Sequence, residues 1–274
     1  MSIPHISQLV IFPIKSLGPV ALQEVEVDAL GLVGDRRFML VSDSGQFITQ
    51  RTRPDLTRFV LKFYGDDYLI LDQKTQMHRV LPVNPILGAW VDVSLWDDEI
   101  RVREVADGIS VWFSELLKES VRLVQIQSEA PRVIQSKYQT IGSQQSSFAD
   151  SLPVLVASEA SYQAVEKQLG TSFDWMRFRA NIIVSGVEAF DEDTWSEFSI
   201  GSVHLSGAKP CARCQLINVE PSTGDVDKSV LAALSTFRKV EHKVYFGQQA
   251  VPIVHGKLAV GDQIQIQKRK NALL

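Results

Sequence analysis

Three hairpin signals crowd roughly the first 100 residues, and they constrain the fold more than any other feature of the chain. Phe38–Val41 and Gln46–Thr49 flank Asp43-Ser44-Gly45. Phe59–Tyr64 and Tyr68–Leu71 flank Gly65-Asp66-Asp67, and Trp90–Leu95 and Ile100–Val105 flank Asp97-Asp98. Glycine can take the left-handed position such loops require, and short strands divided by turns close into barrels or sandwiches. Two further strand candidates precede them, Ser7–Ile14 and Leu22–Val27, the second with strict alternation. Later segments, Pro153–Ala157, Asn181–Ser185, Ser202–Leu205, Gln215–Glu220, Val251–Val254 and Gln263–Gln267, read the same way, with turns at Pro221-Ser222-Thr223-Gly224 and His255-Gly256.

Helices are fewer. Ile109, Trp112, Phe113, Leu116 and Leu117 recur at helical spacing behind Asp107 as a cap. Ser158 caps a second helix with Tyr162, Val165 and Leu169 on one face and Gly170 as its stop, and a third runs from Asp227 to Phe237. Between Glu129 and Ser147 the sequence loses apolar periodicity, which marks a loop or junction. The expectation is a mainly β protein with α+β character, built of two β units.

Of 274 residues 28 are basic and 32 acidic, a net charge of −4. No global attraction to a nucleic acid polymer or an anionic membrane follows, and a basic site has to be local. The apolar stretch Leu9–Ile14 is short and interrupted by Pro13, so neither a signal peptide nor a membrane span is expected, and a cytoplasmic location is.

Two cysteines are too few for a disulfide framework or an iron–sulfur cluster. They are spaced Cys211-x-x-Cys214. A thioredoxin-like dithiol needs its first cysteine at a helix start, whereas the run Gln215–Glu220 reads as a strand. Half a zinc site needs two more ligands, and His5, His78, His204, His242 and His255 are scattered without ligand spacing. A thiolate binding a metal brought in by a cofactor, with the other cysteine packing, is the third reading. Lys209 and Arg213 bracket the pair with positive charge, which lowers a thiol pKa and suits an anionic ligand. Spacing and charge alone leave structural cysteines and a functional thiol both open.

Lys209-Pro210-Cys211-Ala212-Arg213-Cys214, followed by Asn218 to Gly224, resembles the signature of the MOSC domain, the molybdenum cofactor sulfurase C-terminal module. Phe12-Pro13-Ile14-Lys15-Ser16, Gly34-Asp35-Arg36-Arg37-Phe38 and Ile48-Thr49-Gln50-Arg51 resemble the β-barrel domain that precedes it in one branch of that family. Asp150-Ser151-Leu152-Pro153, Ser158 to Ser161, Phe178-Arg179-Ala180-Asn181 and Phe246-Gly247-Gln248 continue the likeness, which covers nearly the whole chain. It implies an N-terminal β-barrel domain over residues 1–128 and a MOSC domain over residues 129–274. The nearest branch is that of the mitochondrial amidoxime-reducing component and its bacterial counterparts.

The resemblance implies a molybdenum cofactor (Mo-molybdopterin) ligated by Cys214, with Cys211 as packing partner. It places pterin and phosphate contacts on Lys15, Ser16, Arg37, Ser151, Arg179 and Arg213. The implied activity is reduction of N-hydroxylated small molecules, a detoxification chemistry, with Asp150 or a metal-bound water as proton source. Some bacterial relatives continue into a ferredoxin domain. With two cysteines and an end at Leu274 this chain is expected to have no internal iron–sulfur cluster and to take electrons from an external reductase or ferredoxin-like protein. Leu152 and Gln249 depart from the pattern at the substrate pocket. The alternative is a carrier, in which Cys214 holds a persulfide or the protein hands on the molybdenum cofactor.

Overall fold

The computed structural model describes residues 3–134 and 145–272, so the expected junction at 129–147 falls largely outside the described residues. Its described ends pair as two short strands, Arg132–Val133 with Gln145–Ser146.

The largest sheet runs, in order, Val20–Leu22, His5–Ile11, Ile182–Ser185, Val154–Ser158, Lys243–Val254, Val203–Arg213, Trp195–Ile200 and Ile264–Arg269, with Lys239–Val240 on the side of the fifth. The second strand of this path returns to the last. His5 bridges Gln263, and the Ile6 amide donates to Asp262 O at 2.9 Å, so the sheet curls into a barrel. Its first two strands come from the start of the chain, and Glu24–Asp28 pairs with Gly256–Ala259 from near its end. Phe38, Leu40, Phe59 and Phe113 therefore share one buried core with Val154, Trp195, Phe198 and Leu205. A four-stranded sheet (Phe38–Ser42, Val121–Gln125, Asp98–Val105, Leu87–Leu95) and a meander (Phe59–Tyr64, Asp67–Asp72, His78–Leu81) complete the N-terminal half.

Among the described residues there are three α-helices: α1 (Ile109–Leu117), α2 (Glu159–Leu169) and α3 (Ser229–Ser235). In α1 the expected face is buried. Asp107 accepts the Ile109 amide at 3.0 Å from one residue outside the cap position, which Gly108 occupies. In α2 the Ser158 hydroxyl accepts the Ser161 amide at 3.1 Å, and Gly170, at φ +83°, ends the helix. This helix links Val154–Ser158 to its parallel neighbour Ile182–Ser185, a connection that needs a crossover. No helix among the described residues is long and apolar enough to cross a membrane.

Three expectations are corrected. Leu22–Val27 is not one strand, because the chain changes sheets at Gln23. Gln46–Thr49 pairs only through single bridges, since a turn at Thr49–Arg53 pulls it away. Gln215–Glu220 is no strand: Gln215–Asn218 forms a single 3₁₀ turn, and its apolar Leu216 and Ile217 mimic strand composition over too few residues for any period to show.

Beneath the barrel a second core gathers Tyr162, Phe178, Phe246, Ile217 and Cys211. Two acids are buried at its margin. Asp193 pairs with Arg238. Glu192 has no cation: its Oε1 accepts the Ser161 hydroxyl at 2.7 Å and the Ser158 amide at 3.1 Å. Burial, with the Asp193 charge adding to it, lifts the Glu192 carboxyl from 4.5 to about 7. The folded state thus holds this proton more tightly than the unfolded chain. Its contribution is complete below the unfolded value and is lost as pH rises through the folded one. Between pH 5 and 8 the protein is expected to lose on the order of 2–3 kcal/mol through this group. Urea denaturation of Glu192→Gln at both pH values should show that slope flattened, and an unchanged slope would refute the assignment.

Candidate functional site

The strand Val203–Arg213 ends at the cysteine pair, and strand geometry gives the two thiols different surroundings. Cys211 is buried in the second core, where the Arg213 guanidinium donates to its Sγ at 3.1 Å. Cys214, extended at φ −113°, ψ −178°, is exposed at the start of the 3₁₀ turn. Three residues of extended chain span roughly 10 Å. A disulfide needs Cα atoms within about 7 Å, and both cysteines are free thiols in this structure.

Cys214 opens onto a cleft of about 230 Å³ at the meeting of the two halves of the chain. Three loops build its walls. After the first strand, Lys15 is tied by its amide to Phe38 O at 2.8 Å, and Ser16 stands at φ +66°. In Gly34-Asp35-Arg36-Arg37, Asp35 accepts the Phe12 amide at 2.8 Å and pairs with Arg36 at 2.5 Å, which fixes this loop against the first. The third follows the 3₁₀ turn Trp175–Phe178, with Arg179 in left-handed conformation at φ +56°. Asn181 clasps the third loop to the barrel, accepting the Leu155 amide at 3.1 Å and donating to Val10 O at 3.2 Å.

The charges are lopsided. Lys15, Arg36, Arg51, Arg179, Lys209 and Arg213 line the cleft against a single acid, Asp150. Arg179 lies 4.0 Å over the Phe12 ring and donates to Leu17 O at 3.0 Å, and Arg213 lies 5.2 Å over the Phe178 ring and donates to Phe178 O at 2.8 Å. Burial, reinforced by Arg36, pulls Arg179 down to about 9. A guanidinium keeps its proton in proteins, so the strain is expressed as a demand for an anion. Arg51 Nε, Arg179 Nη2 and Arg213 Nε are buried without a hydrogen-bond partner, and such atoms call for acceptors.

Lys15 donates to Phe148 O at 2.8 Å and pairs with Asp150. Burial brings Lys15 down to about 8, although Asp150 opposes the shift. Burial alone would raise the Asp150 carboxyl, but Lys15 and Arg51 outweigh it and hold that group well below the usual carboxylate range. Among the described residues no three His, Cys, Asp or Glu side chains come together as a metal-binding group. A metal on Cys214 would have to take its other ligands from a bound cofactor.

The structure brings Lys15, Ser16, Ser151, Arg179, Arg213 and Cys214 together in this cleft, with Leu152 and Gln249 on its wall. Arg37 is elsewhere: its guanidinium donates to Asp28 at 2.7 Å and to Leu32 O at 3.4 Å, and Arg36 takes the place expected for it. The sequence reading also missed Arg51 and Asn181, although both stand inside motifs that it singled out.

Fold and cleft together define a class: a β-barrel protein with one exposed thiol at the edge of a cation-lined pocket. The chain matches the MOSC N-terminal beta barrel domain over residues 3–120 and the MOSC domain over residues 143–265. It is 32% identical to mitochondrial amidoxime reducing component 2 of Rattus norvegicus, an alignment covering 94% of this chain and 82% of that protein. It is 30% identical to mitochondrial amidoxime-reducing component 1 of Homo sapiens, over 95% of this chain and 82% of that protein. A molybdenum cofactor sulfurase of Caenorhabditis elegans is 28% identical over 89% of this chain, which spans only 33% of that longer protein. The chain belongs to the family of two-domain MOSC proteins that includes the amidoxime-reducing components.

Proposed function

We propose that this protein binds a molybdenum cofactor in the cleft and reduces N-hydroxylated compounds with electrons from a separate redox protein. The observation that carries this reading is the placement of the exposed Cys214 thiol among six cations and one acid, three of the guanidinium groups having a buried nitrogen without an acceptor. A pterin dithiolene with a phosphate is the kind of anionic, acceptor-rich ligand that such a lining suits, and the amidoxime-reducing relatives support the reaction class.

Lys15, Ser16, Ser151, Arg179 and Arg213 would hold the cofactor, with Arg36 in place of Arg37, and Cys214 would supply the protein's thiolate to the metal. When bound, the cofactor supplies the two-electron chemistry, while the protein supplies position and electrostatics. Reducing an N–OH group to the amine and water consumes two protons with the two electrons. Asp150 is held ionised, so in the ion pair between buried Lys15 and exposed Asp150 at the cleft wall it is Lys15 that carries a proton at neutral pH.

The test is metal and pterin analysis of protein from cofactor-competent cells, followed by reduction of benzamidoxime with a chemical reductant. Bound molybdenum and pterin with turnover is the expected result. Bound cofactor without turnover of any N-hydroxylated compound would instead indicate a carrier, and a Cys214 persulfide without molybdenum a sulfur-transfer protein.

A further inference from the structure

One aromatic side chain that touches two cleft residues stands in a backbone conformation that does not suit it. Trp96 forms, with Asp97, the two-residue turn between Leu87–Leu95 and Asp98–Val105, closed by the pairing of Leu95 with Asp98. Its φ is +58°, left-handed backbone that hairpin turns normally give to Asn, Asp or Gly. A bulky residue there is strained and persists only where its side chain is held. Three contacts hold it: Arg51 lies 4.0 Å over the indole, the Phe47 ring meets it edge-on at 4.8 Å, and its Nε1 donates to Asp150 Oδ1 at 3.3 Å. The indole is nonetheless 42% exposed, so core packing does not account for it.

The two polar partners of Trp96 are cleft residues. Arg51 and Asp150 line the pocket, and Arg51 also donates to Asp150 Oδ2 at 3.1 Å. The hairpin tip thus pins a guanidinium plane and a carboxylate as one flat rim on the N-terminal side of the cleft. Phe12 and Phe178, which also touch cleft cations, are fully buried, and half-buried Phe47, 5.6 Å from Lys15, packs against the Trp96 indole. Guanidinium planes and indoles stack on flat conjugated groups and gain little from a puckered aliphatic one.

We propose that Trp96, through the Arg51 it holds at the cleft wall, makes the site favour flat, conjugated N-hydroxylated substrates over aliphatic hydroxylamines. This rests on the reductase reading above, naming the substrate shape that the site selects. Trp96 acts partly through Arg51 and is a positioning residue.

The test uses cofactor-loaded protein and Trp96→Gly, which removes the ring while supplying the residue that this turn position favours. Against wild type, kcat/KM for benzamidoxime is expected to fall about tenfold, mainly through KM, with kcat/KM for N-hydroxycyclohexylamine unchanged. Trp96→Phe keeps a ring and should retain most of the preference. Independently of turnover, wild type should bind benzamide, which is flat and not reducible at an N–OH, about tenfold more tightly than the Trp96→Gly variant does. Cyclohexanecarboxamide should show no such difference. Equal loss for both substrates, or equal benzamide binding by wild type and variant, would overturn the proposal. Failure of molybdenum-loaded wild type to reduce either substrate would instead sink the reductase reading, a result told apart by its independence of residue 96.

Discussion

Cys214→Ser protein, made in the same cells, is expected to lose reduction activity by more than about 100-fold, because even residues that merely orient metal ligands are worth 10- to 100-fold. The thiolate is a soft, anionic ligand, and a serine hydroxyl at the same extended position is hard and protonated at neutral pH. Stability should hardly change, since Cys214 is exposed and no core residue rests on it. Cys211→Ser is expected to behave in the opposite way. Its side chain belongs to the buried cluster that includes Leu155, Tyr162 and Phe246, and its sulfur accepts from Arg213, so losing it should cost about 1–2 kcal/mol while leaving most of the activity. Turnover, molybdenum content and urea denaturation of the two variants separate the roles. Wild-type activity in Cys214→Ser would remove the thiol from the site's chemistry.

Gly207→Ala is expected to be the most damaging single methyl group in the molecule. A Cβ there would stand 1.9 Å from Trp195 O and 2.9 Å from Gln248 Nε2. The first is backbone of the neighbouring strand and cannot swing aside, so Val203–Arg213 and Trp195–Ile200 must separate. A destabilisation upwards of about 4 kcal/mol follows, which is a fall in Tm of roughly 10 °C for a chain of this size. Gly65→Ala is the control. Nothing lies within 4 Å of that Cβ, and only the positive φ of 62° counts against it, a penalty of about 1 kcal/mol. Equal melting of the two variants would show that the strands yield more easily than their packing implies. Because the strand bearing Gly207 ends in the cysteine pair, faster alkylation of the buried Cys211 should accompany the loss.

Much of this was legible beforehand, for reasons that can be named. Glu24 to Val27 alternates because one face meets the core, and α2 announces itself through Ser158 and Gly170 at its ends. Trp195–Ile200 was missed because its register shifts on both sides of Glu197 place the buried Trp195, Phe198 and Ile200 at uneven intervals. Val203–Arg213 was read only at its start, since Gly207, Lys209 and Pro210 look like a break. The sheet absorbs them through irregular pairing beside Lys243–Val254. At the site, motif resemblance gathered most of the lining, but spacing could not choose between Arg36 and Arg37, neighbours that face different ways. Trp96 carried no signal, because its turn gave no sign of reaching Asp150.

The pairing of His5–Ile11 with Ile182–Ser185 also sets a schedule for the newborn chain. During synthesis the first strand leaves the ribosome long before its partner exists. At 5–20 residues per second the wait is on the order of 10 s or more, with an apolar edge unpaired throughout. Glu24–Asp28 waits longer still for Gly256–Ala259. The thiol and its cationic cleft can therefore be assembled only near the end of translation, and a ribosome stalled before residue 182 would hold a chain prone to aggregate rather than a half-built site.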